Sequence, residues 1–196
     1  MSTPLHDKSQ YKIVAAPHDS ALFEHVRRIR IDVFVHEQGY PLEDEMDDYD
    51  KDCFHLLLLH RPLEDLSDSH ASHLLIDGEY EPAGTLRYFP PPKNKIGRVA
   101  VLKKFRGKGL GGIMMKGLEA MLRGELQGAP TFPGGIAAEI NMHAQVPVVP
   151  FYRGLGYETE GDEFLEDGTP HILMRKKLLQ SSAPAGGLSK DIEATS

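Results

Sequence analysis

The stretch RGKGLGG, at residues 106–112, combines closely spaced glycines with an arginine and a lysine, the residue types that hold a phosphate. Glycine lets backbone N–H groups approach a ligand closely, and the start of a helix favours an anion. Two patterns overlap in this stretch. Counted from Gly107 it matches the GxGxxG fingerprint of a dinucleotide site, and counted from Arg106 it matches RxxGxG, which holds the pyrophosphate of coenzyme A.

The neighbouring residues separate these alternatives. A P-loop needs a serine or threonine directly after its lysine to hold magnesium, and Lys108 is followed by Gly109, so that interpretation fails. A dinucleotide site needs a carboxylate about 20 positions further on to bind the ribose. Residues 126–135, LQGAPTFPGG, contain none, which makes that interpretation weak. Taken alone, the motif also fits a glycine-rich turn without a ligand.

The elements around the loop are predicted from residue type and spacing. IGRVAVL, residues 96–102, has the composition of a strand, and apolar residues after Leu110 recur at the spacing of one helix face. These apolar residues are Ile113, Met114, Leu118, Met121 and Leu122. Glycines at the start of a helix weaken it, so their presence indicates that the backbone there approaches an anion.

Composition limits the class of protein. The chain has 196 residues, of which 40% are hydrophobic, enough for one buried core. A formal net charge of −7 argues against general nucleic-acid binding. The single cysteine, Cys53, allows neither an intramolecular disulfide nor a multi-cysteine zinc site, and we expect no bound metal. No signal or membrane segment is recognisable, so we expect a cytoplasmic protein, with the nucleus also open.

Charge is distributed unevenly along the chain. Residues 43–52, EDEMDDYDKD, contain seven carboxylates, whereas basic residues cluster around the glycine loop at residues 103–108. This polarity indicates one local field for a phosphorylated ligand and another for a cation. A solvated charged loop is the alternative interpretation of the acidic segment.

The remaining pattern predicts further strands and helices. A helix is predicted where apolar residues recur from Leu22 to Val33, before Gly39 and Pro41. Strands are predicted at residues 11–16, 54–60, 82–89 and 136–144, with a final hairpin near the C-terminus. Between the last of these strands and the hairpin, Pro150 requires a short helix to begin near Val148, because only the first turn of a helix tolerates proline.

Four separated stretches, in the right order, resemble one family. They are RIRIDVFVHEQGYPLEDEMDDYD (28–50), IGRVAVL with FRGKGLG and its helix (96–122), INMHAQVPVVPFYRGLGY (140–157) and FLEDGTPHILMRKKL (164–178). Together they resemble the GNAT superfamily of acyl-CoA-dependent N-acetyltransferases, and the first and last are similar to its ElaA-like branch. Gln145 departs from the pattern, since many relatives carry asparagine there, as do Pro147 and Pro150.

The resemblance implies an α+β fold of the GNAT type. Its central mixed, mostly antiparallel sheet is flanked by helices and splays between the fourth and fifth strands. We expect a single domain at residues 11–179, with a loop insertion at 61–81. Residues 1–10 are predicted to be a flexible N-terminus, and the small polar residues of 180–196 predict a disordered tail.

The resemblance also implies acetyl-CoA as co-substrate. The backbone groups of Val99, Ala100 and Val101 are expected to pair with its pantetheine arm, with an N–H there as an oxyanion donor. The pyrophosphate is expected on Arg106, Gly107, Lys108, Gly109, Leu110 and Gly111. Lys103 and Lys104 are candidates for other phosphates of the cofactor, or are simply solvated.

An acid and a base are needed for direct transfer to an amine. By resemblance Tyr152 lies beside the sulfur, where a phenol can protonate the departing thiolate. Glu37 and His143 are both candidates for the base, and a water chain is a third possibility. His55 and His171 are interpreted as structural. Cys53 lies in an apolar strand, where burial blunts a thiol, so it is interpreted as structural and not as a nucleophile.

The acceptor is the least defined component. We expect a primary amine of a small molecule, such as an amino sugar or polyamine, because the acidic segment and the insertion suggest a covered site. A protein N-terminus or lysine is an alternative acceptor, and a non-catalytic acyl-CoA-binding sensor is an alternative function. No nucleic-acid or membrane partner is expected, and a homodimer is left open.

Overall fold

The computed structural model describes residues 10–45, 47–62, 75–76, 78–125 and 138–178. Three predictions therefore lie largely outside the described residues: the flexible N-terminus, most of the insertion at 61–81, and the disordered tail.

Seven strands and four α-helices lie within these ranges. The strands are β1 (Tyr11–Ala15), β2 (Phe54–His60), β3 (Glu81–Phe89), β4 (Lys95–Val101), β5 (Glu139–Gln145), β6 (Glu158–Glu166) and β7 (Thr169–Lys177). The α-helices are α1 (Ala21–Arg30), α2 (Leu42–Glu45), α3 (Leu110–Leu122) and α4 (Val149–Gly154). The predicted strands, the long helix after the glycines and the final hairpin are confirmed, and α4 carries proline in its first turn as expected.

The strands form one seven-stranded sheet in the order β1-β2-β3-β4-β5-β7-β6. Neighbouring strands pair antiparallel, with one exception: β4 and β5 run parallel. A parallel pair requires a crossover connection, which α3 supplies between these two strands. The mixed, mostly antiparallel sheet predicted from the sequence is therefore confirmed.

The four consecutive leucines of β2 show how helices cover both faces of the sheet. Side chains alternate between the two faces along a strand. Leu56 and Leu58 accordingly join the cluster that includes the buried face of α3, whereas Leu57 and Leu59 join the cluster formed with α1. An uninterrupted apolar run is what burial on both faces demands.

The sheet opens at its centre, as predicted. Only two residue pairs join β4 to β5, Lys95 with Asn141 and Ile96 with Met142, after which the strands separate. On its other edge β4 contains an extra residue, because Thr85 lies opposite Ala100 while Arg87 lies opposite Gly97. Arg98 takes up this bulge with a φ of 51°. Bulges of this kind bend a strand, and here the bend accompanies the opening.

The helical region before the acidic segment differs from a plain amphipathic helix. The helix α1 continues without a break into a π-helical stretch at Ile31–Glu37. The apolar spacing correctly predicted a helix but gave no sign of this wider winding. The π-helical stretch ends beside the opening of the sheet, where Phe34 and Gln38 line its wall.

Candidate active site

The separation of β4 from β5 creates a cleft of about 910 Å³. Its lining comes from the end of the π-helical stretch, the acidic segment, β4, the glycine loop, the start of α4 and the turn between β6 and β7. This volume lies within the range of small-molecule and cofactor sites. The cleft brings together most of the residues that the sequence singled out.

The edge of β4 supplies backbone groups to this cleft. The N–H of Leu102 donates to the carbonyl of Ala83 on β3 (3.0 Å), so the N–H and C=O of the preceding Val101 point the other way, into the opening. Val99 and Val101 both line the cleft. Ala100 lies opposite Thr85 of β3 and is buried. This geometry does not favour its predicted contact with a cofactor.

The glycine loop forms a cradle at the start of α3. Gly107 and Gly109 both have a φ of 75°, in the left-handed region that other residues rarely adopt, and the space beside each is open. Gly109 precedes the first residue of α3 and has no side chain to cap it. The first backbone N–H groups of the helix are consequently available to an anion.

Gly111 lies at a close contact between two helices. A Cβ at this position would lie 3.2 Å from the ring of Phe151, so glycine allows the first turn of α3 to approach α4 closely. The cradle is therefore fixed against the element that carries Tyr152.

Arg106 and Glu37, predicted in separate roles, contact each other. The Nε of Arg106 donates to the carbonyl of Val101 (2.9 Å), and its Nη2 lies 2.7 Å from Oε2 of Glu37. Arg106 lines the cleft, whereas Glu37 is outside its lining. The carboxylate of Glu37 thus orients the arginine of the cradle.

The lysines near the cradle point in other directions. Lys108 lies over the ring of Phe105 (5.6 Å to its centroid), outside the cleft lining, and Lys104 pairs with Glu81.

Tyr152 occupies the position expected of an acid. It lines the cleft with only 7% of its surface exposed, between the rings of Phe151 and Tyr157. Burial raises the pKa of the Tyr152 phenol to about 12, so the group is protonated at neutral pH. A protonated phenol that lines the cleft can donate to a developing thiolate.

His143 meets two partners that the sequence did not single out. Its Nδ1 lies 3.0 Å from both carboxylate oxygens of Glu166 and 3.1 Å from Nζ of Lys95. All three side chains line the cleft, at the level where β4 and β5 separate. Phe164 packs edge-on against the imidazole at 4.9 Å. Lys95 and Glu166 are 71 positions apart in the chain, so no local pattern could have connected them.

Three of the seven carboxylates of the acidic segment, Glu45, Asp47 and Asp50, are neutralised by arginines. Glu45 and Asp50 are buried against the fully buried Arg30. Asp50 and Asp47 also bind Arg87, at 2.8 and 2.6 Å, and Arg98 lies 2.9 Å from Glu45. Three arginines thus balance three carboxylates in a structural network that holds the segment against the sheet. The acidic segment is therefore neither a solvated charged loop nor a fully open site for a cation.

One signal for this network was present in the sequence. Arg30 follows Val26 by four positions and so lies on the apolar face of α1, where an arginine needs a buried partner. Arg87 and Arg98 lie in strands far from the acidic segment, and nothing local marks them.

The remaining singled-out residues have local structural contacts. Burial raises the pKa of the Cys53 thiol to about 11, the opposite of what a nucleophile needs. Burial lowers the pKa of His55 to about 4, and its Nε2 lies 2.9 Å from the carbonyl of Asp50. His171 contacts the carbonyl of Thr169 through Nδ1 (2.9 Å).

Neither a metal centre nor a membrane span emerges from the described ranges. Their histidine, cysteine, aspartate and glutamate side chains form no group of three suited to a metal ion. Their helices are all too short or too polar to cross a bilayer.

The split sheet, the glycine cradle and the buried tyrosine define an acyl-CoA N-acyltransferase fold. A family model for the acetyltransferase (GNAT) domain matches residues 43–178, more than half of the chain. A Bacillus subtilis protein, itself named as an acetyltransferase of unproven activity, is 34% identical over 153 residues, covering 76% of this chain and 85% of its own. The chain therefore belongs to the GNAT family and is an N-acetyltransferase of that type.

Solved structures agree with this assignment. An acyl-CoA N-acyltransferase from Pseudomonas aeruginosa superimposes with a TM-score of 0.60 at 27% identity, covering 85% of this chain and 99% of that one. Escherichia coli ElaA gives the same TM-score and the same coverage at 22% identity, a likeness of fold. The predicted ElaA-like GNAT architecture is thereby confirmed.

Proposed function

We propose that this enzyme transfers an acetyl group from acetyl-CoA to a primary amine of a small molecule, directly and in a ternary complex. The observation that carries the proposal is one continuous cleft that joins the open edge of β4, the glycine cradle and the hydroxyl of Tyr152. Each of these parts matches a different portion of an acyl-CoA and its reaction.

The residues present fit acetyl-CoA, which supplies an acyl group activated as a thioester. The backbone groups of Val99 and the N–H of Val101 face the amides of a pantetheine arm, as an added strand would, whereas the carbonyl of Val101 already accepts from Arg106. The cradle at Gly107 and Gly109 has open space and free N–H groups for a pyrophosphate, and Arg106 adds a cation held in place by Glu37.

Two side chains then handle protons. Tyr152 holds the proton that the departing sulfur needs, and burial of the phenol keeps that proton in place at neutral pH. His143 lines the same cleft and is our candidate for accepting a proton from the amine. We favour it over Glu37, because that carboxylate is engaged with Arg106. Backbone N–H groups near Val99 are our candidates for polarising the thioester carbonyl.

The direct test is release of free thiol from acetyl-CoA in the presence of polyamines, amino sugars and amino acids offered one at a time. Activity on one or more of these amines is the expected result. Tight acetyl-CoA binding with no thiol release from small amines or peptides would instead identify a sensor. Release with peptides alone would identify a protein acetyltransferase.

Changing Arg106 to glutamate is expected to weaken acetyl-CoA binding. The substitution places a second carboxylate beside Glu37 where a pyrophosphate is to bind, and removes a charge-assisted donor worth about 1.5–3 kcal/mol. We therefore expect at least about a tenfold loss of affinity by calorimetry. Lys116→Glu is the matched control, because it makes the same charge change on an exposed position of α3 away from the cleft lining. Equal affinity in the two folded variants would contradict the assignment.

Asp44 provides a test of the acceptor's charge. It is the carboxylate of the acidic segment that lines the cleft without an ion pair recorded in the described ranges. If the acceptor is cationic, Asp44→Asn is expected to raise its KM by about two- to fivefold, the range of a partly exposed charge pair, and added salt should produce a similar rise. Asp48→Asn, outside the cleft lining, is the control. An unchanged KM in Asp44→Asn would mean that Asp44 does not contribute to binding the charge of the acceptor.

A further inference from the structure

His143, Glu166 and Lys95 reach the cleft from three different strands. The last pair joining β4 to β5 is Ile96 with Met142, so His143 is the first residue of β5 beyond the separation. Lys95 comes from β4 and Glu166 from the end of β6. The anion and the cation consequently meet the imidazole at the same ring nitrogen, Nδ1, at the point where the sheet opens.

One arrangement of hydrogens lets both the imidazole and the ammonium pair with the carboxylate. Ionised Glu166 can only accept, so Nδ1 of His143 must carry a hydrogen to bond with it at 3.0 Å. The ammonium of Lys95, 3.8 Å from Oε1, then pairs with the same carboxylate. In the described part of the chain Nε2 has no recorded partner, so its lone pair is open to a proton.

The opposite tautomer is less favourable. If Lys95 donated to Nδ1 at 3.1 Å, the lone pair on Nδ1 would face the carboxylate of Glu166 with no hydrogen between them. That arrangement would leave the closest anion of the site without its bond to the ring. It would also place the hydrogen on Nε2, where it could only be donated.

We propose that Glu166 and Lys95 are positioning residues that keep the hydrogen of neutral His143 on Nδ1, so that the imidazole acts as a base through Nε2. Glu166 holds the Nδ1 hydrogen and stabilises the imidazolium that forms when Nε2 accepts a proton from the amine. Lys95 opposes that charge, so the imidazolium releases its proton again after transfer. This inference rests on the proposed transferase function.

The charged groups around His143 are consistent with these roles of Glu166 and Lys95. Burial alone would raise the pKa of Glu166, but its hydrogen bond to His143 and the charges of Lys95, His143 and His171 lower it, so the carboxylate stays ionised. Burial lowers the pKa of Lys95, as do Arg87, Arg98 and Lys93, whereas Glu166 opposes this. From β7, His171 stacks on Phe164, the ring that also packs edge-on against His143.

Nitrogen-15 NMR of histidine-labelled protein, without any ligand, tests the arrangement independently of activity. In the wild type we expect the Nδ1–H tautomer at His143. Glu166→Gln should move the midpoint of its titration to lower pH and Lys95→Met should move it to higher pH, each by about 0.5–1 unit. Glu163→Gln and Lys177→Met, exposed on β6 and β7, are the controls and should leave the midpoint in place.

The outcomes separate the possibilities. An Nε2–H tautomer in the wild type, absence of both shifts, or shifts of the same sign in both variants would overturn the inference. The two shifts report that both charges act on the ring, and the tautomer reports that Glu166 holds the hydrogen on Nδ1. His143→Gln serves only to assign the resonance.

The kinetic counterpart is the acidic limb of kcat/KM against pH for an accepted amine. We expect the midpoint of this limb to move to lower pH in Glu166→Gln and to higher pH in Lys95→Met. If the wild type releases thiol but the limb stays fixed in both variants, the inference fails while the transferase function stands. If no amine is accepted, the proposed function fails and the NMR result still decides the arrangement.

Discussion

Replacing Tyr152 with phenylalanine is expected to lower turnover by about 10²-fold or more, the range for a positioned general acid. The substitution removes one hydroxyl from a side chain that packs between Phe151 and Tyr157. Folding and acetyl-CoA affinity should therefore change little, and the loss should appear in kcat. It is measured at saturating substrate, with chemistry shown to be rate-limiting.

Tyr80→Phe is the matched control for this experiment. It removes the same hydroxyl from a tyrosine outside the cleft lining, where the group contacts Arg61 (3.0 Å), and should leave turnover unchanged. Wild-type turnover in Tyr152→Phe would mean that the thiolate departs without this proton. Because the pKa of Tyr152 is about 12, its ionisation should not produce an alkaline limb near neutrality.

Arg30 is expected to be the most sensitive position for stability. Its guanidinium is fully buried and binds Glu45 and Asp50, so Arg30→Met removes one of the two arginine partners of each buried carboxylate and leaves only Arg98 and Arg87 to balance them. Breaking a buried pair in this way costs about 3–5 kcal/mol, and denaturant unfolding should report a loss of that size. Arg28→Met, an exposed neighbour on α1, should change the free energy of unfolding by less than about 0.5 kcal/mol.

The same network predicts the direction of acid sensitivity. Burial raises the pKa of Asp50, but the hydrogen bonds and charges of Arg30 and Arg87 outweigh it and lower the pKa below its usual value of 3.8. The contribution of Asp50 is therefore present above that value and is lost as the pH falls through the lower, folded-state pKa. A wild-type protein whose stability did not fall in this range would argue against an ionised network.

Local pattern was sufficient for most of the fold. The leucines of β2 and the glycines before α3 carry their signals in consecutive residues, and they predicted both elements correctly. The splay followed from the family resemblance. The network around Glu45 was missed because its arginines come from α1, β3 and β4, and only the folded sheet brings them together.

The same reasoning explains the incomplete site. The loop at Gly107 and Gly109 is contiguous, and its cradle could be predicted. His143 was recognised as a candidate, but its partners depend on the register of strands distant in sequence. Glu37 and Arg106 were each predicted as functional, yet the contact between them depends on how the π-helical stretch meets the loop.

The two-pair junction between β4 and β5 has a cost for the protein as a whole. The backbone N–H and C=O groups that could pair β4 with β5 beyond this junction are the groups that face the cleft. The same atoms can therefore either hydrogen-bond the two strands or bind a ligand. A substitution that extended the pairing of β4 with β5 by two or three residues would stabilise the sheet and close the cleft. Selection for thermal stability alone would thus favour a continuous, inactive sheet, whereas the active protein must keep β4 and β5 separated.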